Sequence, residues 1–268
     1  MRFLYLVANK SLAVSVVAFA RSLAQKTSAS VTILYVAEKS RDLEVGKANL
    51  GEIWQNLWDV PIEVKLRQGD PMQEFLAEVR DEEYDFVLVE SRRRQRYFPS
   101  RQRVLVEKLI KKSPISVMLV RHGNIKLEKI LVCTGGQDFS LPVVKASAAL
   151  AGAAGVGVTL FYVGHNIPKM YLGIGMKEET IADVMASNTP LSQHIAKSLK
   201  IFEEQGVKSD VDLCTGLVDE EIISHASSGD YDMIVMGGAE RVKLIGVLMS
   251  DISHEVIHRA KSAVFLVK

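Results

Sequence analysis

Three stretches of this 268-residue chain hold side chains whose type and spacing could do chemistry. Thr134-Gly135-Gly136-Gln137-Asp138 sets two adjacent glycines between an apolar run and a helical pattern. Glycines there let an anion approach backbone N–H groups with no Cβ in the way, and the helix that follows adds a favourable dipole. The same residues also suit a plain strand-to-helix turn, so a phosphate loop and a structural turn are both open readings. Arg92, Arg93, Arg94, Arg96, Arg101 and Arg103, with Lys108, Lys111 and Lys112, oppose nine basic residues to the single acid Glu107 between positions 92 and 112. The part from Arg92 to Arg103 could hold an anionic ligand or a nucleic-acid backbone through side chains, with Arg92, Arg93 and Arg94 at its centre, or it could be a solvated loop. Finally, His254-Glu255-Val256-Ile257-His258 places two imidazoles on one helix face at the spacing that zinc sites use. A catalytic zinc needs a third ligand, and no His, Asp, Glu or Cys follows His258, so no metal is expected.

The elements that would position these residues emerge from an internal repeat. At an offset of 147, Gly69 matches Gly216, Glu74 matches Glu221, Tyr84-Asp85 matches Tyr231-Asp232, and Val117, Leu119 and Val120 match Val264, Leu266 and Val267. Upstream, an offset of 127 pairs Leu4 with Leu131 and Tyr35-Val36 with Tyr162-Val163. The second copy therefore carries 20 more residues between its second and third strands. Within each copy, Val-, Ile- and Leu-rich runs alternate with helical patterns, which predicts a parallel sheet with helices on both faces. The fold class expected is α/β, with two tandem doubly wound, five-stranded, Rossmann-like domains at 1–122 and 128–268. The histidine motif then falls on the helix equivalent to Glu107–Lys111, an ordinary amphipathic element.

A formal net charge of +1 shows no bias of the whole chain toward nucleic acid or acidic surfaces, so any such preference must be local. Ala146–Gly164 is uncharged and long enough to consider as a membrane span, but the repeat aligns it with Phe19–Ala37, which holds Arg21 and Lys26. No membrane association is expected. Cys133 and Cys214 lie in apolar strand-like runs and suggest buried thiols in a reducing, cytoplasmic setting. The two last strands, Val117–Val120 and Val264–Val267, are apolar edges that would aggregate if left open. They are expected to pair with each other between domains, and a homodimer is a further expectation.

Gly69-Asp70-Pro71 before the third helix, and Tyr-Asp before the apolar strands Phe86–Val89 and Met233–Met236, make the chain resemble the universal stress protein family over nearly its whole length. The resemblance implies a non-catalytic, stress-response binding or regulatory protein. Members that bind ATP resemble one another in an Asp ending the first strand, a Val ending the second, and a loop Gly-x2-Gly-x9-Gly-Ser/Thr after the fourth. In the first copy Ala8, Glu90, Arg93, Arg103 and Val104 stand at those places. In the second copy Gly135 replaces the Asp, Val163 and Gly237 are retained, and Glu240, Ser250 and Asp251 fill the rest of the loop. What the resemblance implies for ligands is AMP or ATP in domain 2 only, bound weakly at Thr134, Gly135, Gly136, Val163, Gly237 and Gly238. Thr134–Asp138 also resembles the Ser-Gly-Gly-x-Asp loop of PP-loop ATP pyrophosphatases, with Phe139 where that motif has a serine, and this keeps a nucleotide-dependent enzyme as an alternative.

Overall fold

The computed structural model describes residues 1–8, 14–57, 59–91, 101–121, 123, 126–164, 181–238 and 249–268. They form two compact units, Met1–Leu127 with Lys261–Lys268, and Glu128–Ala260. The first unit runs β1 (Arg2–Val7), α1 (Val14–Thr27), β2 (Ser30–Ala37), α2 (Leu43–Leu57), β3 (Ile62–Gln68), α3 (Pro71–Asp81), β4 (Phe86–Ser91), α4 (Arg101–Lys112) and β5 (Ser116–Arg121). The second runs β6 (Lys129–Thr134), α5 (Leu141–Ala154), β7 (Gly157–Gly164), α6 (Ile181–Ala186), α7 (Pro190–Glu204), β8 (Ser209–Thr215), α8 (Val218–Ser228), β9 (Met233–Gly237) and α9 (Met249–Arg259). The chain then closes with β10 (Ala263–Val267).

The sheet of the first unit has the order β3-β2-β1-β4-β5, all parallel, with β10 antiparallel on β5. In the second unit the parallel order is β8-β7-β6-β9. Thus the last eight residues group with the first unit, whereas the repeat in sequence assigns them to the second copy. Strands buried on both faces read as unbroken apolar runs, as in β1, where Phe3 to Val7 are all buried. The edge strands β3 and β8 are mostly half-buried and carry charged residues along their length. No helix among the described residues is long and apolar enough to cross a membrane.

Element bounds repeat with the sequence. Shifting β1, α1 and β2 by 127 gives the bounds of β6, α5 and β7, and shifting α2, β3 and α3 by 147 gives those of α7, β8 and α8. The short helix α6 belongs to the extra segment. The Tyr-Asp dipeptides have one job in both units. Asp85 accepts from the backbone N of Arg2 at 2.7 Å, and Asp232 accepts from those of Glu128 and Lys129 at 2.8 and 3.1 Å. The preceding tyrosine rings lie under the cations of Arg2 and Lys129, at 4.6 and 4.3 Å from ring centroid. Each dipeptide so pins the start of the central strand, β1 or β6.

Asp70 caps α3, its Oδ1 accepting from Met72 N and Gln73 N at 3.0 and 3.1 Å, with Pro71 in the first turn. In α8 no side chain caps the start. Asp219, Glu220 and Glu221 instead place negative charge against the helix dipole there.

Candidate functional site

In the second unit β6 lies between β7 and β9, so the strand order reverses at its C-terminal end. That is where open α/β sheets leave a crevice for ligands. Thr134 pairs with Tyr162, and Val132 with Val235, so Thr134, the β7 end with Val163, and Gly237 of β9 reach the same edge. Beyond Thr134, Gly135 and Gly136 lead into a short 3-10 turn, Asp138–Ser140, and then α5.

This loop is closed by its own hydroxyls. The N–H of Gly135 donates to Ser140 Oγ at 3.0 Å and that of Gly136 to Thr134 Oγ1 at 3.1 Å. Gly136 has φ +73°, and a Cβ there would lie 2.7 Å from Tyr162 and 2.8 Å from Leu191. At Gly135 a Cβ would stand 2.7 Å from the Phe139 ring. Both glycines are therefore required by packing, whatever else they do.

The partner that sequence reasoning missed is His194, on the buried face of α7. Its side chain is 0% exposed, and its Nε2 lies 2.6 Å from Thr134 Oγ1. Oγ1 accepts from Gly136 and keeps both a proton and a second lone pair for Nε2, so the contact is compatible with either neutral tautomer of the ring. Its Nδ1 is buried, has no hydrogen-bond partner among the described residues and sits 3.9 Å from Asp138 Oδ1. Burial holds the His194 imidazole below its ordinary pKa, against the pull of Asp138, so the ring is neutral. Lys197 donates to Asp138 Oδ2 at 2.7 Å and keeps that carboxyl below its usual range. Hydroxyl, imidazole and carboxylate thus follow one another in the order of a nucleophile relay. Yet Thr134 is only 8% exposed and His194 fully covered, so the hydroxyl cannot meet a substrate.

A signal for His194 does exist in the sequence: Leu191, Ile195 and Phe202 form an apolar stripe in which His194 and Ser198 are polar interruptions. Nothing local says which residue they meet. At the matching positions the first unit has Val7 for Thr134 and Lys47 for His194, and Lys47 pairs at the surface with Glu44 at 2.8 Å.

Gly237 ends β9 and Gly238 follows it, and among the described residues a Cβ on Gly237 would find only Val143, at 3.6 Å. Arg92, Arg93, Arg94, Arg96, Glu240 and the segment 165–180 lie outside the described residues, as do the side chains of Arg101, Ser250 and Asp251. Arg103, at the end of the basic cluster, donates to Glu107 at 2.9 Å along α4. Cys133 and Cys214 sit near the C-terminal ends of β6 and β8 as free thiols, half-buried where buried thiols were expected. Burial still pushes the Cys133 thiol up, and burial with Glu221 and Asp212 nearby pushes Cys214 up to about 11.

Residues 126–268, more than half of the chain, match the model of the universal stress protein family, and the chain belongs to that family. A universal stress protein of Methanocaldococcus jannaschii is 28% identical over 150 residues, which span 56% of this chain and 87% of that one. Among solved structures, a universal stress protein from Archaeoglobus fulgidus superposes with TM-score 0.70 at 15% identity, over 99% of this chain and 98% of its own. A putative universal stress protein from Pseudomonas aeruginosa gives 0.68 at 16% identity, over 100% and 93%. These likenesses bear on the fold.

Proposed function

We propose that the chain is a non-catalytic, cytoplasmic ligand-binding regulator of the stress response, built as a tandem of two such domains. Its ligand crevice is the edge where β6, β7 and β9 end, at Thr134, Gly135, Gly136, Val163, Gly237 and Gly238 in the second unit, with Thr134 shaping the loop from beneath and not touching the ligand. The observation that carries the non-catalytic reading is the sealed Thr134–His194 pair, a hydroxyl and a base in contact but shut away from any reactant. Adenine nucleotide is the ligand class, and AMP is favoured over ATP. Lys197 is already matched by Asp138, and His194 is neutral, so the described rim offers no surplus positive charge for a triphosphate. In the first unit, Val7 and Ala8 bring no polar side chain to the equivalent edge.

Calorimetric titration of the full chain with AMP and with ATP tests this. AMP should bind more tightly than ATP, with no turnover of either. Lys197→Ala should weaken AMP several-fold and Asp138→Asn should strengthen it. Tighter ATP binding, or release of phosphate from ATP, would overturn the reading.

A further inference from the structure

The last two turns of α9 hold a histidine pair that the nucleotide crevice does not use. His254 and His258 lie one turn apart with their Nε2 atoms 2.9 Å from each other, ring centroids 4.1 Å apart and ring planes inclined by 65°. His254 is exposed and His258 half-buried. A hydrogen bond between two ring nitrogens requires one of them to present a bare lone pair, the form in which imidazole binds metals. The other nitrogen presents its lone pair once its proton leaves.

The separation is informative. Metal–imidazole bonds are about 2.0–2.1 Å, so two nitrogens on one ion stand about 2.9 Å apart at a right angle and about 3.3 Å apart at the tetrahedral angle. The observed 2.9 Å, which a hydrogen bond sets, lets both nitrogens reach one ion with little movement and is nearer the right-angle value, the relation of neighbouring ligands around a square-planar or octahedral ion. Nitrogen ligands in that arrangement suit Cu(II) and Ni(II). Position on the helix adds to this, since the carbonyl end of α9 favours positive charge. The nearest cation in sequence, Arg259, is turned to Asp219 at 3.5 Å.

We infer that His254 and His258 form a two-nitrogen chelate for one divalent ion of the Cu(II) and Ni(II) class. This is a binding site and no peptidase. It does not rest on the nucleotide reading.

The test is titration of the chelator-stripped full chain with Cu(II) alone, followed by calorimetry and by electron paramagnetic resonance. One ion per chain should bind with hyperfine structure from two nitrogens. His254→Ala and His258→Gln should each weaken binding about tenfold or more, a factor of ten being about 1.4 kcal/mol. Because either change destroys the chelate, the double variant should be no weaker than the weaker single variant. Ni(II) should raise the melting temperature of the wild type and leave both variants unmoved. Circular dichroism checks that the variants fold, and His254→Ala, at an exposed position, is the decisive one if His258→Gln does not. Unchanged affinity in His254→Ala would overturn the inference, as would losses in the two single variants that multiply in the double, the mark of two independent histidines.

Discussion

Glu78 and His225 stand at the same place on α3 and α8, 147 positions apart, and face strand partners of opposite sign. Glu78 accepts from Lys65 on β3 at 2.8 Å, while His225 Nε2 lies 3.2 Å from Asp212 at the matching place on β8. The acid and the base have exchanged elements. The tyrosine beside them adapts: Tyr84 donates to Glu78 at 2.6 Å, whereas Tyr231 donates to Thr159 at 2.8 Å. His225 stacks on Phe161 with centroids 4.3 Å apart. Glu78 is fully buried and is also contacted by Arg67, so its network is the tighter of the two.

Removing the Glu78 carboxylate should therefore cost more than removing the His225 ring. Glu78→Gln leaves Lys65 and Arg67 short of a counter-charge and should destabilise the first unit by about 2–3 kcal/mol. His225→Gln loses a partly exposed pair and one stack and should cost about 1 kcal/mol. Urea denaturation of both variants checks the order. Equal losses would mean that the buried pair is not held by charge.

Acid should act through Glu78. Burial pushes its carboxyl upward, but Lys65, Tyr84 and Arg67 outweigh that and hold it below the ordinary value. A depressed carboxyl contributes stability that is whole above the unfolded pKa of about 4.3 and is lost as pH falls through the folded value. Between pH 5 and pH 3 the wild type should lose more stability than Glu78→Gln, as read by denaturant midpoints at each pH.

The Thr134–His194 contact predicts a partial rescue. Thr134→Val removes the 2.6 Å partner of the buried His194 Nε2, leaving it the longer 3.5 Å contact with Ser198 Oγ, and should cost about 1–3 kcal/mol. Adding His194→Leu should recover part of that loss, since removing both polar partners is cheaper than orphaning one. Because the His194 pKa is depressed, the wild type should also lose stability as pH falls below about 6.5, the unfolded histidine value, and the double variant should show a shallower slope there. A double variant less stable than Thr134→Val would argue against the contact.

Glycine substitutions separate backbone strain from crowding. Gly155, at φ +64° with nothing within 4 Å of a new Cβ, should lose about 1 kcal/mol on change to Ala. Gly136→Ala adds collisions with Tyr162 and Leu191 to the same kind of strain and should lose at least twice as much. Thermal melts of the two variants suffice.

The edge of β5 is covered by β10, with Val117, Met118 and Leu119 opposite Leu266, Phe265 and Val264. Deleting residues 261–268 should expose that apolar edge and drive association. Light scattering of the shortened chain checks it, and a stable, monodisperse monomer would count against an aggregating edge.

Much of the fold was legible in the sequence because helices and strands answer to periodicities a few residues long. The repeat, at offsets of 127 and 147, marked the same run of strands and helices in both copies, and six of the element pairs share their bounds between the copies. The glycine pair at 135–136 was visible for the same local reason, since few other residues tolerate that turn. Tertiary structure alone brought His194 against Thr134 across 60 positions, for its place on the helix stripe names no partner. It alone showed that Ser140 and Thr134 occupy the amides a phosphate would use. The two apolar edges already marked the final strand and β5 as partners in the sequence. Only the tertiary structure decided that this strand groups with the first unit, because pairing follows the match of two open edges and not the order of the copies along the chain.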